Sequence, residues 1–318
     1  MALNPPVEER PVLGASTLIT TQSTRVPTKF NCKLPLSVAF KGDAKFQALV
    51  ARAQKENWAS LPIGERTATV GKALAGTSYV NYTLELSNSV ECPCANLHAM
   101  DCWTFYETSL AFARMIKSQT GPYTPADLLK YVEMERYRHG RCDGTYLSRM
   151  HHLEEVFADN QSRGLGRNIS RELGGVKISR NITEMQHAWK SYRALVANPS
   201  YRTGIARVEQ RVSALPVYYI PRSKVRGIES SLRSGDIIAI VSADKSGYTS
   251  HVGMAVRDGA RCRFLHATSR RDKGRCVHFD SYIPNYLAES SDHIGIIVFR
   301  PGEAPMEAPA GTLAMKRN

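Results

Sequence analysis

At about residue 217 the sequence changes texture, and this constrains the fold more than any other feature. Residues 217–220, 237–241, 251–256, 263–268, 275–279 and 294–300 are short runs rich in β-branched and aromatic residues, separated by turn residues. Such a block forms a small antiparallel sheet or half-barrel. Upstream, apolar residues recur at helical spacing over 43–58, 62–75, 102–118, 125–137, 147–158, 183–196 and 203–213, with one alternating stretch at 79–86. Helices first and strands second, without βαβ alternation, specify an α+β fold. The Pro-, Ser- and Thr-rich residues 1–30 and the Pro-, Ala- and Gly-rich residues 301–318 read as flexible tails. A single domain over 31–300 remains, helical and basic over about 106–213 and β-rich over about 217–300.

The strongest short-range signal in the β-rich block is Asp258-Gly259, which lies between two strand-like runs. A two-residue loop there pairs residues whose numbers sum to 517, setting His251 opposite His266. Directly opposed residues have Cβ atoms roughly 4.5–5.5 Å apart, close enough for one imidazole to fix the tautomer of the other. A bulge would shift this register.

Cys102 opens an amphipathic helix that has Phe105, Phe112 and Ile116 on its inner face. A thiol at a helix start meets unpaired backbone N–H groups and the positive end of the helix dipole, which favour the thiolate. The backbone N–H of Cys102 is also placed to serve as an oxyanion donor. Cys102, His251 and His266 therefore supply a nucleophile, a base and an orienting group in that order. The alternative reading is a cysteine buried as packing and a strand histidine satisfied in the core. If the thiol belongs to a protein that only binds, it is unreactive towards alkylation at neutral pH.

Basic residues exceed acidic ones by 42 − 29 = 13, and the excess is concentrated in 136–226, with 17 basic and 7 acidic side chains. This is either a solvated surface or a surface for anionic ligands, such as carboxylate-rich peptides, nucleic acid or anionic membrane. Aromatics do not interleave with the basic residues as a stacking platform requires, which argues against nucleic acid. The seven irregularly spaced cysteines do not resemble a disulfide framework, so a mostly reduced set is expected. Cys92-Pro93-Cys94, with His98 nearby, lacks zinc spacing and a second ligand pair, and reads as a loop with two free thiols. No metal or organic cofactor is expected. No apolar run reaches the ~18 residues of a membrane span. Residues 1–28 lack the layout of a Sec signal, which points to a cytoplasmic protein or to a signal-independent export route.

Seven segments occur in family order: Leu61-Pro62-Ile63-Gly64-Glu65-Arg66, Gly76-Thr77-Ser78-Tyr79-Val80 with Thr83-Leu84-Glu85, Asp101-Cys102 with Thr104-Phe105 and Glu107, Ser148-Arg149 with His151, Gly235-Asp236-Ile237-Ile238, Ser250-His251-Val252-Gly253, and His266-Ala267-Thr268. Together they resemble the bacterial N-acetylmuramoyl-L-alanine amidase-like family, a branch of the NlpC-type cell-wall cysteine peptidases with a papain-like fold. The resemblance covers roughly residues 46–301. It implies a monomeric hydrolase that cleaves the amide between N-acetylmuramic acid and L-alanine in peptidoglycan or muropeptides, with Cys102 as nucleophile, His251 as base and His266 orienting it. It further implies substrate-binding roles for Tyr79, Arg149 and His151, with weaker matches at Glu85 and Glu107. Tyr79 can instead be a core aromatic, and Arg149 a surface ion pair. Ser78, Tyr82 and Thr268 depart from the family pattern, and a bulky Tyr82 bears on pocket size. Two alternatives remain: an NlpC-type endopeptidase cutting D-glutamyl bonds, and a non-catalytic basic protein that binds cell wall or nucleic acid.

Overall fold

The computed structural model describes residues 26–305 apart from residue 28. Of the expected tails at 1–30 and 301–318, residues 1–25, 28 and 306–318 lie outside the described residues. Within them, Val26 and Phe30 pack against the core, Pro301 closes the last strand, and Glu303 pairs with the buried Arg66.

Eight strands form one antiparallel sheet: β1 Gly166–Asn168, β2 Val176–Lys177, β3 Tyr218–Pro221, β4 Ile237–Ser242, β5 Thr249–Asp258, β6 Arg261–Ala267, β7 Val277–Tyr282 and β8 His293–Pro301. The spatial order is β7-β6-β5-β4-β8-β3-β2, with β1 on the end of β8. All six strand runs expected from the sequence are present. The short β1 and β2, contributed by the helical third, were not foreseen.

Every residue of the central strand β4 is buried, so both sheet faces are covered. Ile237, Ala239 and Val241 join a large core with the N-terminal helices, including Phe46, Phe105, Phe112 and Leu129. Ile238 and Ile240 join a second core closed by the short helices Arg222–Ile228 and Ile283–Ala288. At seven and six residues these two helices are too short to show a helical period.

The principal helices Asp43–Lys55, Ile63–Ala73, Cys102–Ser118, Pro125–Arg136 and Tyr201–Ser213 fall where apolar spacing places them. Three expectations fail. Residues 147–158 form a single helical turn at Tyr146–Ser148, and the helix proper runs Leu153–Ser162. Residues 183–196 break into Glu184–His187, Trp189–Ser191 and Arg193–Ala197. Of the stretch 79–86 only Tyr79 is strand, in a two-residue Ser78–Tyr79 paired in parallel with Ala99–Met100, because Tyr82 turns the chain at φ 62°.

Two of the recognised segments meet at a crossing that needs glycine. Gly235 has φ 80°, and a Cβ on it would stand 2.1 Å from the Gly64 carbonyl oxygen; one on Gly64 would stand 2.4 Å from that of Ser234. The start of the Ile63–Ala73 helix therefore lies directly on the turn that feeds β4.

The cysteines are not all reduced. Cys32 and Cys92 form a disulfide with Cα atoms 4.9 Å apart, which corrects the reading of the 92–94 loop as two free thiols. The N-terminal segment folds back across that loop: Phe40–Lys41 pairs with Ala95–Asn96, and the Asn31 N–H donates to Glu133 at 2.9 Å. Sixty residues separate the two cysteines in sequence, so spacing could not reveal the pair. Among the described residues no helix is long and apolar enough to cross a membrane.

Candidate active site

Cys102 is the first residue of its helix, and a reciprocal cap fixes the turn. The Asp101 carboxylate accepts from the Thr104 N–H at 2.8 Å, while Thr104 Oγ1 accepts from the Asp101 N–H at 3.0 Å. The Asp-Cys-Trp-Thr segment is thus a helix start with the thiol on its first turn.

The hairpin places the two histidines together, in a register different from the expected one. Asp258 pairs with Arg261, so the turn is Gly259-Ala260 and paired numbers sum to 519. A shift of two keeps every side chain on its original face. His251 and His266 become diagonal rather than directly opposed neighbours. His251 Nε2 lies 2.6 Å from His266 Nδ1, and the rings are nearly perpendicular at 87°. Gly253 stands where His266 crosses over, and a Cβ on it would lie 2.7 Å from the His266 Cβ. That explains the glycine of Ser250-His251-Val252-Gly253.

Behind His266 stands a residue the sequence reading missed. His266 Nε2 lies 3.2 Å from Asp280 Oδ2, and Asp280 is also bonded by Lys273 Nζ and by the Ser281 N–H at 2.7 Å. Burial opposes ionisation of Asp280. The bonds from His266, Lys273 and Ser281 outweigh it and hold the carboxyl well below the usual range. Asp280 lies on β7, which pairs with β6 across an irregular register, so no spacing rule in the sequence links it to His266.

Cys102 and His251 border one cavity of about 160 Å³, together with Trp103, His151, Glu154, Glu184 and Tyr248. A larger hollow of about 660 Å³, beside the start of β4, has no cysteine or histidine in its lining. Chemistry therefore favours the smaller one. Of the residues implied as substrate-binding, His151 borders the cavity and Arg149 does not. His151 packs on Tyr146 with centroids 4.4 Å apart and shares a hydrogen bond with its carbonyl at 3.0 Å. Arg149 is buried behind them, 4.9 Å from the Tyr146 ring and facing Glu91 at 3.3 Å and Glu85 at 3.8 Å. It belongs to an ion pair, though a buried one. Tyr79 is half-buried, close enough that the Cys102 sulfur contributes, after burial, to raising its phenol. Glu107 pairs with Arg136 inside the core, and Tyr82 is exposed. Trp103, Glu154 and Glu184 border the cavity without having been singled out by sequence.

The basic third does not wall this cavity with cations. No Lys or Arg borders it, and two Glu do. Arg136 pairs with Glu107, Arg138 with Glu155 and Arg163 with Asp159, while Arg180 bonds the Ser242 and Gly247 carbonyls. A segment's net charge carries no direction, and these guanidinium groups are spent on internal partners.

The electrostatics of the thiol also differ from expectation. Burial, and then the Asp101 carboxylate, push the Cys102 thiol up to about 12 against the pull of the Val252, Trp103 and Cys102 N–H groups. Burial and the neighbouring His266 and His293 push His251 well below its ordinary 6.5. At neutral pH both groups are uncharged, so the thiolate has to form by proton transfer during attack. Alkylation of Cys102 by iodoacetamide is expected to be slow at pH 7 and to climb without a plateau through pH 10, since thiolate grows tenfold per pH unit below its pKa. A plateau near pH 8–9, measured on a variant lacking the other free cysteines, would show an ordinary thiol. Slow alkylation at pH 7 consequently does not separate a hydrolase from a binding protein.

The family model described as N-acetylmuramoyl-L-alanine amidase-like (AmiA-like) matches residues 69–296. No curated protein matches. Among solved structures, an N-acetylmuramoyl-L-alanine amidase from Bacteroides uniformis superposes with a TM-score of 0.68 at 24% identity, covering 76% of this chain and 99% of the other. A Bacteroides fragilis protein provisionally described as a xylanase gives 0.65 at 26% identity, covering 73% and 99%. A Legionella pneumophila protein gives 0.58 at 18% identity, covering 83% and 99%.

Proposed function

The chain belongs to the N-acetylmuramoyl-L-alanine amidase-like family, and from that membership we propose a peptidoglycan amidase with a cysteine nucleophile, in a single papain-like catalytic domain of the NlpC type. The observation that carries the mechanism is the hydrogen-bonded His251–His266 pair, with His251 bordering the same cavity as the helix-start thiol of Cys102. His251 takes the thiol proton as sulfur attacks the carbonyl of the lactyl group joined to L-alanine. The tetrahedral intermediate collapses, the C–N bond breaks, and His251 returns the proton to the departing nitrogen. Water then attacks the thioester with His251 again as base, releasing the sugar carboxylate and regenerating the thiol. Backbone N–H groups around the sulfur, those of Cys102 and Trp103, are suited to the oxyanion. His151 and Tyr79 border or approach the reacting centre, and their proposed role is to position substrate.

A second reading has its own support. Glu154, whose carboxyl burial raises to about 7, and Glu184 both border the cavity. Carboxylates there suit an ammonium, such as the free N-terminus of a stem peptide, which would favour endopeptidase cleavage at a D-glutamyl bond. Mass spectrometry of a muropeptide digest decides between them. The amidase reading expects an intact stem peptide with a free L-alanine amine and a sugar bearing a lactyl carboxylate. With free stem peptide supplied beside the muropeptide, cleavage of that peptide beyond D-glutamate while the muropeptide's lactyl amide stays uncut would replace it with the endopeptidase.

A further inference from the structure

We propose that Asp280 is a positioning residue that sets the tautomer of His251 through His266, and that Lys273 keeps this relay electrically neutral. The inference rests on the reading of Cys102 and His251 as nucleophile and base, but it makes a claim about ring protons that can be tested without turnover.

An ionised carboxylate only accepts hydrogen bonds. The proton between His266 and Asp280 therefore belongs to His266 Nε2, at 3.2 Å from Oδ2. A neutral His266 protonated at Nε2 has a bare Nδ1. The 2.6 Å contact between that atom and His251 Nε2 can then be a hydrogen bond only if His251 is the donor. With its proton on Nε2, His251 has its lone pair on Nδ1, free to take the proton of Cys102. The carboxylate thus fixes which nitrogen of a ring two hydrogen bonds away acts as the base. Without it, His266 can carry its proton on Nδ1, bond outward to His251 Nε2 and force the His251 proton onto Nδ1, where the ring cannot act as a base towards the thiol.

Lys273 has a distinct part. Its Nζ bonds the same Oδ2 that receives His266, and it is itself held by Glu289 at 2.9 Å, which Arg270 pairs with in turn. Asp280 and His266 are both buried, at 4% and 1% exposure, so an unbalanced carboxylate there would draw a second proton onto His266. An imidazolium at His266 presents Nδ1–H to His251 Nε2 and has the same disabling effect as the wrong neutral tautomer. The ammonium prevents this. His278, paired opposite His266 on β7, and Tyr286, whose ring lies 5.2 Å from that of His266, are further titratable groups beside the ring.

The test is a two-bond proton–nitrogen correlation on the imidazoles of the full ¹⁵N-labelled chain at pH 7, with kcat and KM on muropeptide measured in parallel. In the wild-type protein both His251 and His266 are expected to be Nε2–H tautomers. Asp280→Asn should move the His266 proton, wholly or in part, to Nδ1 and lower kcat by about 10²–10⁴-fold, the range that general-base catalysis contributes and whose upper end a wrong tautomer reaches, with KM nearly unchanged. Lys273→Met should instead give a doubly protonated His266 and lower kcat as well. Asp280→Glu, which keeps an ionised acceptor, should retain more activity than the asparagine variant. A wild-type His251 protonated at Nδ1 overturns the relay, and so do Asp280→Asn and Lys273→Met spectra identical to wild type. Should Cys102→Ala hydrolyse substrate like the wild type, the nucleophile assignment fails, whereas the ring tautomers still stand or fall by their own spectra.

Discussion

Replacing Cys102 with alanine is expected to lower muropeptide hydrolysis by about 10⁴-fold or more, as removal of a covalent nucleophile does, and to leave the fold in place. The helix cap is built by Asp101 and Thr104, not by the cysteine. Alanine is also the best helix former, so the first turn should survive. Circular dichroism and a denaturant titration should match the wild type, while product release on a mass spectrometer falls to background. Near-wild-type turnover in the alanine variant would remove Cys102 from the mechanism, and the His251–His266 pair would then need another nucleophile.

The largest effect on stability is expected at Arg136. Its guanidinium is fully buried and bonds Glu107 Oε2 through Nε at 2.9 Å and the Cys94 carbonyl through Nη2 at 2.9 Å. Glu107 lies in the second turn of the Cys102 helix and is itself buried. One cation thus ties the end of the Pro125–Arg136 helix, the 92–94 loop and the active-site helix together. Arg136→Met fills similar volume but strands the Glu107 carboxylate in the core, and breaking a buried pair in this way typically costs about 3–5 kcal/mol. The check is the midpoint of urea unfolding at neutral pH. A loss under about 1 kcal/mol would mean that Glu107 finds another partner or water. The double replacement Arg136→Met with Glu107→Gln should recover part of the loss, because no unpaired charge remains.

Local signals made much of the fold legible before any coordinates. Alternation and β-branched content located six strands, and apolar spacing located the main helices, because both patterns repeat within a few residues. The candidate site was legible to the same depth. A helix-start cysteine and two strand histidines near a hairpin can be read from neighbouring residues. The hairpin itself shows how much error such a reading tolerates. The turn falls one residue later than Asp258-Gly259, yet the pairing shift of two preserved the faces, and the histidines still met.

What the sequence determined by itself was therefore the set of elements and the chemistry-bearing side chains on them: an α+β chain, a thiol on a capped helix start, and imidazoles at 251 and 266. The tertiary structure decided which charges face which partners. It joined Cys32 to Cys92 across sixty residues, put Asp280 behind His266 and turned Arg136, Arg138, Arg163 and Arg180 to carboxylates and carbonyls of the protein itself. It also left glutamates, not cations, beside Cys102, and it reversed the expected direction of the thiol's acidity, since burial and Asp101 outweigh the helix-start N–H groups. The reason is that helix and strand periods are set by near neighbours along the chain. Burial, pairing and the protonation of a buried group depend on atoms brought together from distant segments, and neither composition nor spacing records that meeting.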